Sequence, residues 1–95
     1  MNVEKELLKY KYKGFQKEQI AQIRRGFIAG FTESQMNLFG NRKYNWKQMY
    51  IISEGIKHGF TEEQIKLYAK PEINQAEMCH IYDYLMKRKL SGIND

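Results

Sequence analysis

Apolar residues recur along this chain at the three- and four-residue spacing of amphipathic helices. Ile20, Ile23 and Phe27 form one stripe, Met49, Ile52 and Ile56 a second, and Met78, Ile81 and Leu85 a third. Such residues share one helix face, whereas a half-buried strand alternates apolar and polar positions. Helix starts are marked as clearly. Five times an apolar residue precedes a polar one, with Gln or Glu three residues further on and another apolar residue after it. The copies are Phe15-Gln16…Gln19-Ile20, Phe31-Thr32…Gln35-Met36, Tyr44-Asn45…Gln48-Met49, Phe60-Thr61…Gln64-Ile65 and Ile73-Asn74…Glu77-Met78. This combines a capping box with a hydrophobic staple: the cap oxygen takes an orphan amide, the Gln or Glu reaches back, and the apolar pair sets the approach angle. Thr and Asn are good caps and Gln16 a weak one. A fainter version, Val3 with Glu6 and Leu7, opens the first helix.

The caps fall at 16, 32, 45, 61 and 74, so their spacings alternate between 16 and 13 residues and long helices alternate with short ones. Stop signals agree. Gly30 and Gly59 stand where a left-handed residue ends a helix, Gly40 follows the third helix, and Pro71 prevents the fifth from running on. The pattern predicts six helices, roughly 3–12, 16–29, 32–40, 45–58, 61–69 and 74–90.

These signals repeat with a period of 29 residues. Phe15–Lys43 set over Tyr44–Glu72 without gaps matches at nine positions, among them Gln19/Gln48, Ile23/Ile52, Gly26/Gly55 and the run Gly30-Phe31-Thr32-Glu33 over Gly59-Phe60-Thr61-Glu62. A partial third copy over 73–95 keeps Asn74, Met78 and Ile81 in step, then carries Tyr84 and Arg88 where the others have glycine. Terminal copies of a repeat diverge because they lack a neighbour to pack on. The expected architecture is all-α: one domain over 1–95 of three stacked helical hairpins (copies 15–43, 44–72 and 73–95), with a capping helix at about 3–12.

Composition narrows the class. Ninety-five residues suit a single small domain, and one cysteine, Cys79, cannot form an internal disulfide. No apolar run approaches the roughly 18–20 residues of a membrane span, and the N-terminus lacks a signal-peptide core. The expectation is a soluble cytoplasmic protein. Its net charge of +5 is uneven: residues 1–43 carry nine Lys/Arg against four Glu, while 44–95 carry seven of each sign. Such asymmetry points to a polyanionic partner, set against the plainer reading that lysines keep a small domain soluble.

Candidate chemistry is thin. His58, Cys79 and His80 are the residues outside carboxylates and hydroxyls that serve as nucleophiles or ligands. Cys79 and His80 are adjacent on a helix, so their side chains diverge by about 100° and do not share one tetrahedral ion. A buried structural thiol is the expectation for Cys79. Gly26, Gly30, Gly55 and Gly59 repeat with the helices, which marks them as caps or close-packing points and not as a phosphate loop. Glu62 and Glu63 suit a helix first turn, where the dipole favours negative charge. The expectation is no enzyme, no cofactor and no metal.

Basic residues remain. The tract Lys9-Tyr10-Lys11-Tyr12-Lys13, the pair Arg24-Arg25 and the run Arg42-Lys43-Tyr44 interleave cations with tyrosines, a combination suited to phosphate contacts and stacking. Lys87-Arg88-Lys89 is a further basic group. The candidate partner-binding residues are Lys9, Lys11, Lys13, Arg24, Arg25, Arg42, Lys43 and Tyr44. Arg24 and Arg25 follow Ile23 and point off the apolar stripe of their helix. Tyr50, Tyr68, Tyr82 and Tyr84 are read as packing residues. The competing reading makes every tyrosine core and every lysine a solvated helix back.

The run Leu67-Tyr68-Ala69-Lys70-Pro71-Glu72-Ile73-Asn74-Gln75-Ala76-Glu77-Met78, with Gln48-Met49-x-x-Ile52-x-x-Gly55-x-x-x-Gly59 before it, resembles a family of short helical repeats. These have the form LYAKPEF-D/N-W-x-QM-x-x-I-R-x-GL-x-x-G and occur in proteins of low-GC Gram-positive bacteria, their phages and mobile elements. The resemblance spans about 15–82; copy one departs from it, with Gly40-Asn41-Arg42-Lys43 in place of Ala-Lys-Pro-Glu. It implies a phage or mobile-element setting, in the cytoplasm of a bacterial host, and carries no activity with it. Three functions follow in order. The first is a non-enzymatic helical-repeat binder of an acidic protein or nucleoprotein, in concrete form an inhibitor of a host nuclease. The second is a DNA-binding regulator with a helix-turn-helix over Glu54–Ile65. An enzyme using Cys79 or a histidine comes last.

Overall fold

The computed structural model describes residues 2–92, and these form six helices and no strand: α1 (Val3–Tyr12), α2 (Lys17–Ile28), α3 (Glu33–Phe39), α4 (Trp46–Lys57), α5 (Glu62–Lys66) and α6 (Gln75–Leu90). Each start follows from its cap. The side chains of Thr32, Asn45 and Thr61 accept the backbone N–H three residues on, at 3.1, 2.9 and 3.1 Å, and Gln35, Gln48 and Gln64 accept the cap N–H in return. These reciprocal pairs satisfy first-turn amides that would otherwise lack partners. Asn74 caps α6 through the Glu77 N–H at 2.9 Å. Helix α1 is capped by Asn2, which accepts from Lys5, one residue ahead of the expected Val3.

Helix ends divide the glycines into two kinds. Gly30 and Gly59 have φ of +79° and +85°, and the following Phe31 and Phe60 N–H groups close back onto Gly26 and Gly55 carbonyls at 3.1 and 3.0 Å. That is the left-handed stop that glycine adopts at least cost. Gly14 ends α1 in the same way, ahead of Phe15. Gly26 and Gly55 lie inside helices and make room: a Cβ on Gly55 would stand 2.2 Å from the Tyr68 hydroxyl, and one on Gly26 2.8 Å from the Phe39 ring.

Helices α2, α4 and α6 pack side by side in that order, with α1 on α2, α3 against α2 and α4, and α5 against α3 and α4. The result is a slab of 41 × 27 × 16 Å. Its core runs lengthwise through Leu7, Ile23, Phe39, Met49, Ile52, Ile65, Tyr68, Met78 and Leu85. Burial of this apolar surface is what holds helices as short as α3 and α5, which are too brief to persist alone. Helix α5 stops at Lys66, short of the expected residue 69. Leu67 and Tyr68 N–H groups bond three residues back instead of four, a tighter turn that swings Tyr68 beneath α4. There its hydroxyl donates to the Ile51 carbonyl at 3.1 Å. No helix among the described residues is long and apolar enough to cross a membrane.

Two buried glutamines join successive long helices. Gln19 Nε2 donates to the carbonyls of Arg42 and Tyr44 at 3.2 and 2.7 Å, tying α2 to the start of α4. Gln48 Nε2 donates to the carbonyls of Pro71 and Ile73 at 3.2 and 2.7 Å, tying α4 to the start of α6. Residues 29 apart thus do the same task with the same atoms. The side chain of Glu77, the corresponding residue of α6, has no N–H to donate.

Candidate polyanion-binding groove

The two connections that receive these glutamines share a backbone. In the first, Asn41 N–H bonds Phe39 O and Tyr44 N–H bonds Asn41 O; in the second, Lys70 N–H bonds Tyr68 O and Ile73 N–H bonds Lys70 O. Their side chains differ. The first presents Arg42 and Lys43, and the second Pro71 and Glu72 at the corresponding places. All four are exposed. The structural work is done by main-chain carbonyls, which leaves the side chains unconstrained by the fold.

Arg42 and Lys43 border an open groove of about 930 Å³ between the α1–α2 turn and the α3–α4 connection. Lys13 contributes the third cation, with Gln16, Asn41 and Asn45 as neutral polar groups and no carboxylate in the lining. The Arg42 guanidinium lies over Gly14, so close that a Cβ there would come within 2.8 Å of Nη1. Lys13 Nζ sits 5.6 Å from the centre of the Tyr10 ring. Three cations around a carboxylate-free concavity attract anions and orient them.

The other expected site residues are placed elsewhere. Arg24 makes a forked ion pair with Glu4 of α1, its Nη2 lying 3.3 Å from Oε2, and this pairing holds the Glu4 carboxyl below its usual range. Arg25 reaches Glu54 of α4 at 3.6 Å and Gln22 at 3.2 Å, and lies 4.9 Å over the Tyr50 ring. Lys9 pairs with Glu6 at 2.8 Å. Both arginines leave the apolar stripe as expected, but they tie α1 and α4 to α2 and do not extend the groove. Lys11 is exposed. Tyr44 is 5 % exposed, so its ring is core and its contribution is the carbonyl that accepts from Gln19. Burial, followed by the Glu72 charge, raises its phenol pKa.

Two further expectations change. Cys79 is exposed on α6 instead of buried, because it falls off the Met78–Leu85 stripe. Tyr50 and Tyr84 are 40 % and 56 % exposed, whereas Tyr68 is buried and Tyr82 half-buried. Tyr84 carries the Arg88 guanidinium 5.4 Å from its ring centre. His58 Nδ1 is 2.9 Å from the Glu54 carbonyl and its ring meets Tyr82 edge-on. No group of three His, Cys, Asp or Glu among the described residues is placed to hold a metal.

Sequence reasoning missed Trp46. It is the first residue of α4, directly after groove residue Asn45, and 42 % exposed, with Lys47 Nζ 5.7 Å from its ring centre. Tyr50 stands one turn further along the same helix. The signal was available in the aligned copies: Lys17 and Ala21 of α2, and Gln75 and Cys79 of α6, occupy the places of Trp46 and Tyr50. Aromatic side chains are not needed at those places to build the helix. Compared with protein-family models, curated proteins and solved structures, the chain matches none.

Proposed function

We propose that this protein is a non-enzymatic helical-repeat binder, built on a 29-residue unit with two hairpins (α2–α3 and α4–α5) and the single helix α6 in place of the expected third, which docks a polyanionic partner in the groove bordered by Lys13, Arg42 and Lys43. The partner class is an acidic protein surface or a nucleoprotein. In the phage or mobile-element setting implied by the repeat resemblance, the concrete form is an inhibitor that occupies a host nuclease or similar nucleic-acid machine.

The observation that supports this reading is the pair of connections with one backbone and different charge, two cations in Asn41-Arg42-Lys43 and a neutral sum in Lys70-Pro71-Glu72. Arg42-Lys43 and Pro71-Glu72 follow the same hydrogen-bond pattern, so the fold does not ask for cations at 42 and 43. Exposed cations that folding does not require, gathered without a carboxylate among them, are a surface suited to a partner. The helix-turn-helix reading gains no such support. Helix α5 would be the reader, but it has five residues and opens with Glu62 and Glu63, which repel phosphates.

The experiment is capture from a low-GC Gram-positive lysate on immobilised protein, comparing wild type with two variants of equal charge loss. Arg42→Ala/Lys43→Ala should lose the captured partner, while Lys57→Ala/Lys66→Ala should keep it. Equal capture by both variants, or equal loss, would remove the groove from the proposal.

A further inference from the structure

Resting on the groove reading above, we infer that the partner presents a single nucleic-acid strand, whose phosphates lie along Lys13, Arg42 and Lys43 and whose bases stack on Trp46 and Tyr50. Chain continuity joins the two parts. The groove lining ends at Asn45, and Trp46 is the next residue. Trp46 and Tyr50 are exposed on one helix, four residues apart, which sets them about 6 Å apart along its axis. That step suits successive bases of an unpaired strand, because every base offers a π-face and needs no sequence-specific hydrogen bond.

Each ring also has a cation over one face, Lys47 on Trp46 and Arg25 on Tyr50, so a base stacks on the opposite face; Glu54 is the carboxylate that now shares Arg25. A phosphate arriving beside a stacked base competes with Glu54 for that guanidinium. Inside the groove the aromatic residues Phe15 and Tyr44 are buried. The concavity therefore offers charge without stacking, and the helix face beyond it offers stacking beside charge. An unpaired strand uses both at once, phosphates in the first and bases on the second. A duplex would hide its base faces from the two rings.

The test uses the intact protein and two strands, dT12 and rU12, with polyglutamate as an acidic chain that lacks bases. Trp46 is the single tryptophan, so its fluorescence reports its own contact. Either strand should quench that emission, and polyglutamate should leave it unchanged. In anisotropy titrations with labelled strands, Trp46→Gln/Tyr50→Ala should weaken binding about tenfold or more. These replacements are the residues of α6 and α2 at the corresponding places, and a melting curve matched to wild type checks that the fold is kept. Arg42→Ala/Lys43→Ala should lower the slope of log affinity against log salt by about 1.4 for a single strand. Unchanged strand affinity in either double variant, or tighter binding of a 12-base-pair duplex, overturns the inference. If neither strand binds but polyglutamate does, through Arg42 and Lys43, this inference fails and the groove reading stands. If none of the three binds, both fail.

Discussion

The side-chain amide of Gln48 donates to the main-chain carbonyl of Ile73 at 2.7 Å while its oxygen accepts the Asn45 N–H at 2.9 Å. One buried side chain thus caps its own helix and positions the start of the next. Gln19 does the same toward Tyr44. Only an amide serves both ends, since a carboxylate accepts but does not donate.

Gln48→Glu should therefore keep the cap and break the joint, leaving a buried carboxylate facing the Pro71 and Ile73 carbonyls. The expected loss is about 2 kcal/mol in urea unfolding at pH 7. Because the folded state would disfavour the charged form, the carboxyl pKa would rise on folding. Stability should then recover as pH falls below that raised value. A variant as stable as wild type at pH 7 would contradict the role given to the amide.

The two kinds of glycine should separate on substitution. Gly55→Ala forces a Cβ against the Tyr68 hydroxyl, Ile65 and Phe60, at a cost of about 3 kcal/mol. Gly30→Ala meets no atom within 4 Å but must hold φ near +79°, at a cost of about 1 kcal/mol. Denaturant midpoints of the two variants, measured side by side, check the order.

Arg24 should prove to be a residue of the fold. Arg24→Glu would set two carboxylates together where α1 meets α2, lowering the melting temperature, and Glu4→Arg/Arg24→Glu should restore it. Reversal here changes binding only through the loosening of α1. The Arg24 partner depresses the Glu4 pKa in the folded state, so its stabilisation is present above the ordinary carboxylate range. It is lost as pH falls through the folded value. Glu4→Gln should remove that part of the acid-side fall in melting temperature.

Tyr68→Phe deletes the hydroxyl bonded to Ile51 and leaves a ring that copy one already accommodates as Phe39. The expected cost near neutral pH is about 1 kcal/mol. Burial raises the Tyr68 phenol pKa, with smaller contributions from Tyr82 and Glu54. A raised phenol stabilises fully below its unfolded pKa, and the contribution fades above about pH 10. The alkaline arm of the stability profile should be flatter in the variant.

Cys79 should react with Ellman's reagent in the native protein at a rate close to that in denaturant, since it is exposed. Cys79→Ser should shift stability by less than about 0.5 kcal/mol. Protection of the native thiol would show that the α6 surface is covered in solution.

Much of the helical layout was legible residue by residue. Thr32, Asn45, Thr61 and Asn74 cap where the pattern puts them, because a cap acts within one turn and needs no distant partner. The early end of α5 was not legible, since it depends on Tyr68 finding a carbonyl of α4 seventeen residues earlier in the chain. The candidate site divides in the same way. Sequence reading picked out Lys13, Arg42 and Lys43 but grouped them with Arg24, Arg25 and Tyr44. What set the two arginines apart was the placement of Glu4 and Glu54, contributed by other helices, and what set Tyr44 apart was its burial. Trp46 was legible in a comparison of copies, since Lys17 and Gln75 stand at its place in the others.

By itself the sequence determined where helices begin, where those with a left-handed stop end and which face of each is apolar, because capping, such stops and periodicity act over a few residues. Tertiary structure alone decided which cations neutralise the protein's own carboxylates and which border a groove without one. That outcome depends on how side chains far apart in the chain meet in space. Arg24 and Arg25 found Glu4 and Glu54; Arg42 and Lys43, on a connection held by its carbonyls, line a groove without a carboxylate.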